Sequence, residues 1–254
     1  MKIVEIKSGI FLVDAPGPSS NVVYFKTADG VVLMDTTSTT AEMQAVLDLA
    51  GLSPENIVLV INTHADGDHI GGNSLFSCPI LAHEITYERM AAASRAANEM
   101  PTETFSGGNM SLSIGGLEIE LIYKGGHKPD LTILWLLQQK VLLPSDLIFE
   151  NCYPYMIGSD VPIWIDALRS LSTFEADVIF PGHGTLCDQE TIDALVNYMK
   201  TSWEITTAHI EQGDSLEKIL MDPALPRSEG WERETRFETN IENIYNQIQA
   251  KQVP

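Results

Sequence analysis

Short apolar runs separated by turn residues fill the first part of the chain. The segments 2–6, 10–15, 21–26 and 30–35 are rich in valine and isoleucine and are broken by glycine, proline, serine and asparagine, which is typical of hairpin-connected strands. An amphipathic helix is predicted next, with Ser38 or Thr39 as its N-cap and Gly51 at its end. The run IVLVI at residues 57–61 does not alternate, which indicates a strand covered on both faces.

The remainder of the chain mixes strands and helices. We predict helices over residues 70–76, 84–100 (ended by Pro101) and 164–171, and a mostly helical segment from 189 to 249. Strands are expected at 79–83, 117–123, 131–137, 140–146 and 176–180. The pattern predicts an α/β fold.

Size and charge narrow the picture further. The chain has 254 residues, 44% of them hydrophobic and with no Pro/Gly/Ser-rich linker, so we expect one domain; two similar α+β halves are the alternative. Its net charge of −20 disfavours nucleic acid and anionic membrane surfaces as partners. Three cysteines without CxxC spacing, no signal-peptide features and no apolar stretch of about 20 residues favour a reduced, cytoplasmic protein.

Histidine and aspartate cluster where the apolar strands end. The segment THADGDHIGGN follows the run at 57–61, and His127, Asp146 and His183 each follow a later run. Loops at strand ends converge in α/β folds, so we expect these side chains to meet. Imidazole and carboxylate suit Zn, Fe, Mn or Co. Seven side chains are therefore candidate ligands of two divalent ions, with room for a bridging solvent: His64, Asp66, Asp68, His69, His127, Asp146 and His183.

Other polar residues have ordinary structural explanations. His83 at a strand end and His209 inside a helix are expected to be structural, and Cys152 is expected to be a buried small side chain rather than a nucleophile. Ser215 is better explained as a helix cap. GxSxG, P-loop and GxGxxG patterns do not occur, so serine hydrolase, NTPase and dinucleotide-binding functions lack support.

Several segments together resemble the metallo-β-lactamase superfamily. THADGDHIGGN is similar to its HxHxDH signature, GGHKPD to its GHTPG loop, PGHG to its last histidine loop, and VVLMDTT to its early strand ending in an aspartate. The resemblance covers roughly residues 3–190, and the helical tail is similar to those of glyoxalase-II-like metallohydrolases. It implies a four-layer αβ/βα sandwich, with a core at about 3–190 and a helical C-terminal extension at about 190–254.

The resemblance also assigns roles within the site. One ion would take His64, position 66 and His127, the other Asp68, His69 and His183, and Asp146 would bridge them. Asp35 would support the site without binding metal.

Two departures from the family pattern stand out. Position 66 is aspartate rather than histidine, and the loop after His127 reads KPD rather than TPG, so we expect a different turn there and Lys128 pointing toward the pocket. A carboxylate at position 66 resembles the flavodiiron oxidoreductases and favours Mn or Fe over Zn. With Asp66 ionised, two divalent ions, three carboxylates and one hydroxide sum to zero charge. A structural role for Asp66 in the loop is the alternative.

The leading functional interpretation is a metal-dependent hydrolase that attacks a small ester, thioester, lactone or amide with a metal-bridging hydroxide. Asp68 or solvent would supply the proton to the product, and Tyr153, Tyr155 and Met156 are candidates to shape the pocket. The alternatives are an iron-dependent oxidoreductase or dioxygenase with the same dinuclear site, and a non-catalytic binding module. We expect a small-molecule substrate, no nucleic acid or membrane partner, and allow for a homodimer.

Overall fold

The fold is two β-sheets packed face to face, with helices on both outer faces. The structure, a computed structural model, describes residues 1–14 and 19–252; Ala15 of the second predicted strand and the last two residues of the predicted tail lie outside this part. Within it the chain forms twelve strands and seven α-helices. The predicted α/β class is confirmed.

The first sheet contains seven strands in sequence order. They are β1 (Lys2–Lys7), β2 (Ile10–Asp14), β3 (Val22–Thr27), β4 (Gly30–Met34), β5 (Ile57–Ile61), β6 (Ile80–His83) and β7 (Glu103–Phe105). The first four pair antiparallel and the last four pair parallel. The predicted hairpin strands and the buried strand at 57–61 are therefore confirmed.

The second sheet has the order β12-β11-β10-β9-β8. Its strands are β8 (Asn109–Ile114), β9 (Leu117–Tyr123), β10 (Thr132–Leu136), β11 (Val141–Phe149) and β12 (Val178–His183). Only the β11–β12 pair is parallel. The sequence interpretation missed β7 and β8, and it ended β11 three residues early, at Asp146 rather than Phe149.

Three apolar layers hold the four structural layers together. The central layer fills the space between the sheets, with Phe25, Ile61, Leu121 and Leu134 among its buried members. Helix α1 (Thr40–Ala50) covers the outer face of the first sheet. Helices α4 (Val161–Ser170), α5 (Gln189–Glu211), α6 (Leu216–Leu220) and α7 (Arg236–Gln252) cover the second. Inner strands such as β5 and β10 are thus covered on both faces, which explains their largely apolar sequences, whereas the edge strands β1 and β8 are partly exposed.

Local sequence signals predict the ends of α1 correctly but predict helices that are too long between residues 70 and 100. Thr39 caps α1 by accepting a hydrogen bond from the Glu42 amide, and Gly51 ends it with φ of 65°. The helix predicted over 70–76 is instead a short α2 (Gly67–Ile70) followed by a 3₁₀ turn. The helix predicted over 84–100 is α3 (Glu84–Ala92), and Ser94 then adopts φ of 55°, which no α-helix continues.

The predicted helical tail is present as α5, α6 and α7. Asp188 caps α5 and Ser215 caps α6 through its side chain, as expected for that serine. Among the helices of the described chain, none is long and apolar enough to span a bilayer.

Candidate metal centre

All seven predicted ligand residues lie at one edge of the sandwich. His64 and Asp66 lie in the loop after β5, Asp68 and His69 lie in helix α2, and His127 follows β9. Asp146 lies within β11, and His183 is the last residue of β12. A hydrogen bond from the Thr132 amide to the Thr63 carbonyl (2.9 Å) joins the two sheets at this edge. The candidate ligands at the strand ends of both sheets therefore lie close together.

The side chains form two clusters with metal-ligand spacing. The first comprises His64, His127 and Asp146, and the second Asp68, His69 and His183; within each cluster the candidate ligand atoms lie within 4.8 Å of one another. His183 Nε2 is 3.2 Å from Asp68 Oδ2 and 3.4 Å from Asp146 Oδ2. Asp146 Oδ2 is also 3.5 Å from His127 Nε2, and Asp146 Oδ1 is 3.2 Å from His69 Nε2. Asp146 therefore lies between the clusters, where the resemblance puts the bridging carboxylate.

Unpartnered buried atoms indicate that these clusters suit cations. The Nε2 atoms of His64, His69 and His127 and the Oδ1 atom of Asp146 are buried without a hydrogen-bond partner. Such atoms are costly unless a ligand satisfies them. Bonds of about 2.1 Å to a tetrahedral ion put neighbouring ligand atoms roughly 3.4 Å apart, close to the separations seen here. The residues present thus fit two divalent ions.

Hydrogen bonds behind the clusters fix the orientation of two imidazoles. Asp35 Oδ2 lies 2.8 Å from His69 Nδ1, and the Thr63 amide and hydroxyl both donate to the Asp35 carboxylate. The Thr63 hydroxyl is also 3.0 Å from His64 Nδ1 and 2.8 Å from Ser145 Oγ. These contacts turn the Nε2 atoms of both rings toward the clusters. Asp35 thus contacts a candidate ligand from behind, as the resemblance implies.

Helix α4 packs against the first cluster through the contact of Trp164 with His127. The ring of His127 lies 4.9 Å from the ring of Trp164 and is fully buried. Gly126, with φ of 90°, allows this approach, since a Cβ there would lie 2.7 Å from the Trp164 Cα. Packing therefore requires glycine at position 126, directly before His127.

Asp66 faces the first cluster and also contacts two cations. Its Oδ2 atom is 3.7 Å from His127 Nε2, 4.0 Å from His64 Nε2 and 3.4 Å from Lys128 Nζ. Its Oδ1 atom accepts a 3.0 Å hydrogen bond from Arg89. The charge balance inferred from sequence counted the two ions, three carboxylates and a hydroxide but no cationic side chain; Arg89 and Lys128 add two positive charges beside Asp66.

The electrostatics of the centre divide the histidines into two kinds. Burial, together with the charge of His69, holds the pKa of His64 well below its usual value, and burial likewise lowers that of His127. Burial opposes the charged form of His69 and His183 too, but the nearby carboxylates, Asp146 foremost, together outweigh it and raise both pKa values. Burial works against an ionised Asp66, yet His127, His64 and Lys128 hold the pKa of Asp66 far below the ordinary range.

An open pocket of about 470 Å³ leads to the centre. Its walls include Asp68, Phe149, Tyr155 and Arg236, the first residue of α7. The Arg236 guanidinium donates to the Tyr153 carbonyl (3.1 Å) and lies 5.4 Å from the centre of the Tyr155 ring. The C-terminal extension therefore supplies one wall and a positive charge.

Of the three residues predicted to shape the pocket, Tyr155 lines it, whereas Tyr153 and Met156 are buried in the helical layer. Lys128 is 6% exposed and points at Asp66 and Ile157 rather than into the opening.

The residues expected to be structural do lie outside the two clusters. His83 accepts from the Ile85 amide at the start of α3 and stacks on Tyr123. His209 pairs with Asp214 at 2.7 Å and with Asp222 at 2.8 Å. Cys152 is buried in the helical layer, and burial raises the pKa of its thiol.

Sequence reasoning missed Arg89, Asp130 and Arg236. Arg89 and Arg236 sit on helices whose docking the sequence does not reveal. Asp130 is the last residue of the KPD segment, and the difference of this segment from the family's TPG was the one sequence signal for it.

Comparison with known proteins agrees with this geometry. The sequence profile described as "Metallo-beta-lactamase superfamily" matches residues 15–183. The chain is 34% identical over 132 residues to "2,4-dinitroanisole O-demethylase subunit alpha" of Nocardioides sp., a match covering 49% of this chain and 39% of that protein. It is 26% identical over 207 residues to "Beta-lactamase-like protein 2 homolog" of Caenorhabditis elegans (75% and 66%). The chain thus spans less than two thirds of these two curated relatives.

A third relative is covered more fully. The chain is 27% identical over 202 residues to "N-acyl homoserine lactonase" of Bacillus cereus, covering 71% of this chain and 79% of that protein.

Solved structures show the same fold. A metallo-beta-lactamase from Pontibacter korlensis superposes with a TM-score of 0.69 at 23% identity, covering 78% of this chain and 98% of that one. The sec-alkylsulfatase Pisa1 from Pseudomonas sp. superposes with a TM-score of 0.78 at 17% identity, covering 96% and 50%. Because the family profile spans most of the chain, the protein belongs to the metallo-beta-lactamase superfamily.

Proposed function

We propose that the protein is a metal-dependent hydrolase of a small ester, thioester, lactone or amide. The observation that carries this proposal is the pair of clusters joined by Asp146, with imidazole Nε2 atoms buried and unpartnered. The similarity to a protein named as a lactonase supports a carbonyl substrate. The net charge of −20 supports a small molecule over nucleic acid.

Seven side chains would hold the two ions. His64, Asp66 and His127 would bind one, Asp68, His69 and His183 the other, and Asp146 both. Divalent ions there supply a Lewis acid for the substrate oxygen and lower the pKa of bound water toward about 7.

The chain's own groups orient ligands and substrate. Asp35 keeps the proton of His69 on Nδ1, so that Nε2 is free as a ligand. Asp68, 28% exposed in its side chain, lines the pocket, and its carboxylate would take the proton released by the attacking water and hand it to the leaving group. The ring of Tyr155 and the guanidinium of Arg236 line the opening of the pocket and would position the substrate beside the metal centre.

An iron-dependent oxidoreductase or dioxygenase is the second candidate. It is favoured by one observation, the carboxylate of Asp66 beside the first cluster, because carboxylate ligands suit Mn or Fe better than imidazole does.

Metal analysis of protein purified without added metal, followed by a panel of esters, thioesters, lactones and amides, tests both candidates. We expect two ions per chain and turnover of at least one substrate class without oxygen uptake. Oxygen consumption by a coloured, iron-loaded protein would replace the hydrolase proposal with the second candidate.

Substitution of one histidine from each cluster tests the ligand assignment. His127→Ala and His183→Ala should each abolish most hydrolysis and lower metal content by up to one equivalent, whereas His83→Gln, away from the centre, should keep both ions. Near-normal activity with two ions in either cluster variant would contradict the assignment.

A further inference from the structure

Arg89 connects the two places where this chain departs from the family pattern. Arg89 lies near the end of α3, outside the segment that carries the histidine motif. One guanidinium nitrogen donates to Asp66 Oδ1 (3.0 Å), and the other forms an ion pair with Asp130 Oδ1. Asp66 stands where the family has histidine, and Asp130 stands in the altered loop after His127. The two departures are thus one physical unit.

Asp130 ties this unit to the backbone of the ligand loop. Its side chain is fully buried, and its Oδ2 atom accepts a 2.8 Å hydrogen bond from the Ala65 amide. A buried carboxylate requires a partner of opposite charge, and Arg89 is that partner. A planar guanidinium can hold two carboxylates at once with fixed geometry, which a lysine ammonium cannot do as well. Arg89 and Asp130 therefore fix the position of residues 65 and 66.

The contact with Arg89 leaves only one oxygen of Asp66 directed at the cluster. With Oδ1 occupied by Arg89, Oδ2 faces the unpartnered Nε2 atoms of His127 at 3.7 Å and His64 at 4.0 Å. These separations are slightly wider than the roughly 3.4 Å between neighbouring ligands of a tetrahedral ion. An imidazole at position 66 would offer one ligand atom in the same direction, so Asp66 held in this way can replace it.

Lys128 places a second cation near the same oxygen. Its ammonium donates to the Ile157 carbonyl and lies 3.4 Å from Asp66 Oδ2, longer than an ordinary hydrogen bond. Its charge offsets repulsion among Asp66, Asp68 and Asp146, yet its primary partner is a carbonyl. The position of Asp66 is therefore set by Arg89 rather than by Lys128.

We propose that Arg89 is a positioning residue that, together with Asp130, holds Asp66 as a one-oxygen ligand of the ion bound by His64 and His127. This proposal rests on the two-ion site proposed above. Arg89, which lies outside the histidine motif, would thus allow Asp66 to bind the ion at a position where the family has histidine.

Zn²⁺ and Mn²⁺ binding to metal-free protein tests the proposal, using competition with a chromophoric chelator to obtain both affinities. We expect two ions in the wild type. Arg89→Met should weaken one ion by about 10- to 100-fold, the range found when a partner of a metal ligand is removed, and leave the other unchanged. Arg89→Lys should fall between. Arg169→Met removes an exposed arginine whose guanidinium pairs with Asp166 at 3.7 Å; it is the matched control and should change neither affinity.

The double variant separates positioning from a general structural effect. In an Asp66→His background, Arg89→Met should weaken the first ion much less than it does in the wild-type background, because Arg89 then acts only through Asp130 on the Ala65 amide and no longer holds a carboxylate at position 66. Equal weakening in both backgrounds, or two wild-type affinities in Arg89→Met, would overturn the role of Arg89. A single ion in the wild type would overturn the two-ion site itself, and a second ion gained in Lys128→Met would then show that Lys128 keeps the first cluster closed to metal.

Discussion

Replacement of Asp35 by asparagine should weaken the ion held by His69 while preserving the fold. Asp35 accepts three hydrogen bonds, from the Thr63 amide (2.9 Å), the Thr63 hydroxyl (2.8 Å) and His69 Nδ1 (2.8 Å). Asparagine keeps one carbonyl oxygen for the Thr63 amide and presents an NH₂ group in place of Oδ2. It also tolerates the left-handed backbone at this position, where φ is 61°.

The new NH₂ group conflicts with the proton on His69 Nδ1. Either that hydrogen bond is lost, which costs about 1.5–3 kcal/mol for a bond to a charged group, or the proton moves to Nε2. Nε2 is the atom that faces Asp146 at 3.2 Å, and once protonated it cannot bind metal. The expected loss of affinity is about 10- to 100-fold, equivalent to about 1.4–2.7 kcal/mol.

Chelator competition with Zn²⁺ measures this loss, and thermal unfolding of the metal-free protein checks the fold. Asp35→Ala is the harsher comparison, because it leaves the buried Thr63 amide unpaired, which costs a further 1–3 kcal/mol or so of stability. Wild-type affinity for both ions in Asp35→Asn would refute the reasoning, since the tautomer of His69 would then not depend on Asp35.

Three further outcomes are expected. Gly182→Ala should sharply lower activity, because its Cβ would lie 2.0 Å from Asp146 Oδ1, whereas Gly108→Ala, with open space around it, should not; steady-state kinetics of both variants decides this. Arg236→Met should raise KM for a carboxylate-bearing ester more than for its neutral analogue, and equal KM changes would speak against a substrate contact. The hydrogen bonds of His209 to its two aspartates raise its pKa, so their stabilisation is complete below pH of about 6.5 and lost as pH rises through the folded-state pKa. The stability difference between wild type and His209→Gln should therefore be larger at pH 5.5 than at pH 9, by denaturant unfolding; a constant difference would contradict it.

Secondary structure was predicted most accurately where the hydrophobic periodicity and the turn or capping residues indicate the same element. The first six strands of the first sheet could be predicted because their apolar runs are bounded by turn residues. Helix α1 could be predicted because Thr39 and Gly51 mark its two ends. The helix ending at Ala92 could not, because alanines favour helix up to Pro101, whereas Ser94 turns into the left-handed region. Strand β8, NMSLSI, alternates in burial, but its serines and asparagine resemble a loop.

The candidate ligands could be found from sequence because they stand next to strands that converge. Their supports could not, since contact between Arg89 and Asp130 is a property of how α3 packs against the loop after His127. The role of Arg236 depends in the same way on the docking of α7 over Phe149. Sequence patterns therefore identify the ligand residues next to strand ends, whereas the residues that contact those ligands are determined by tertiary packing.

Anomalous diffraction from crystals loaded with Mn²⁺ or Zn²⁺ tests the central claim most directly. The account predicts two peaks per chain, one among His64, Asp66 and His127 and one among Asp68, His69 and His183, with Asp146 between them. A single peak, or a first ion that Asp66 does not contact, would contradict it.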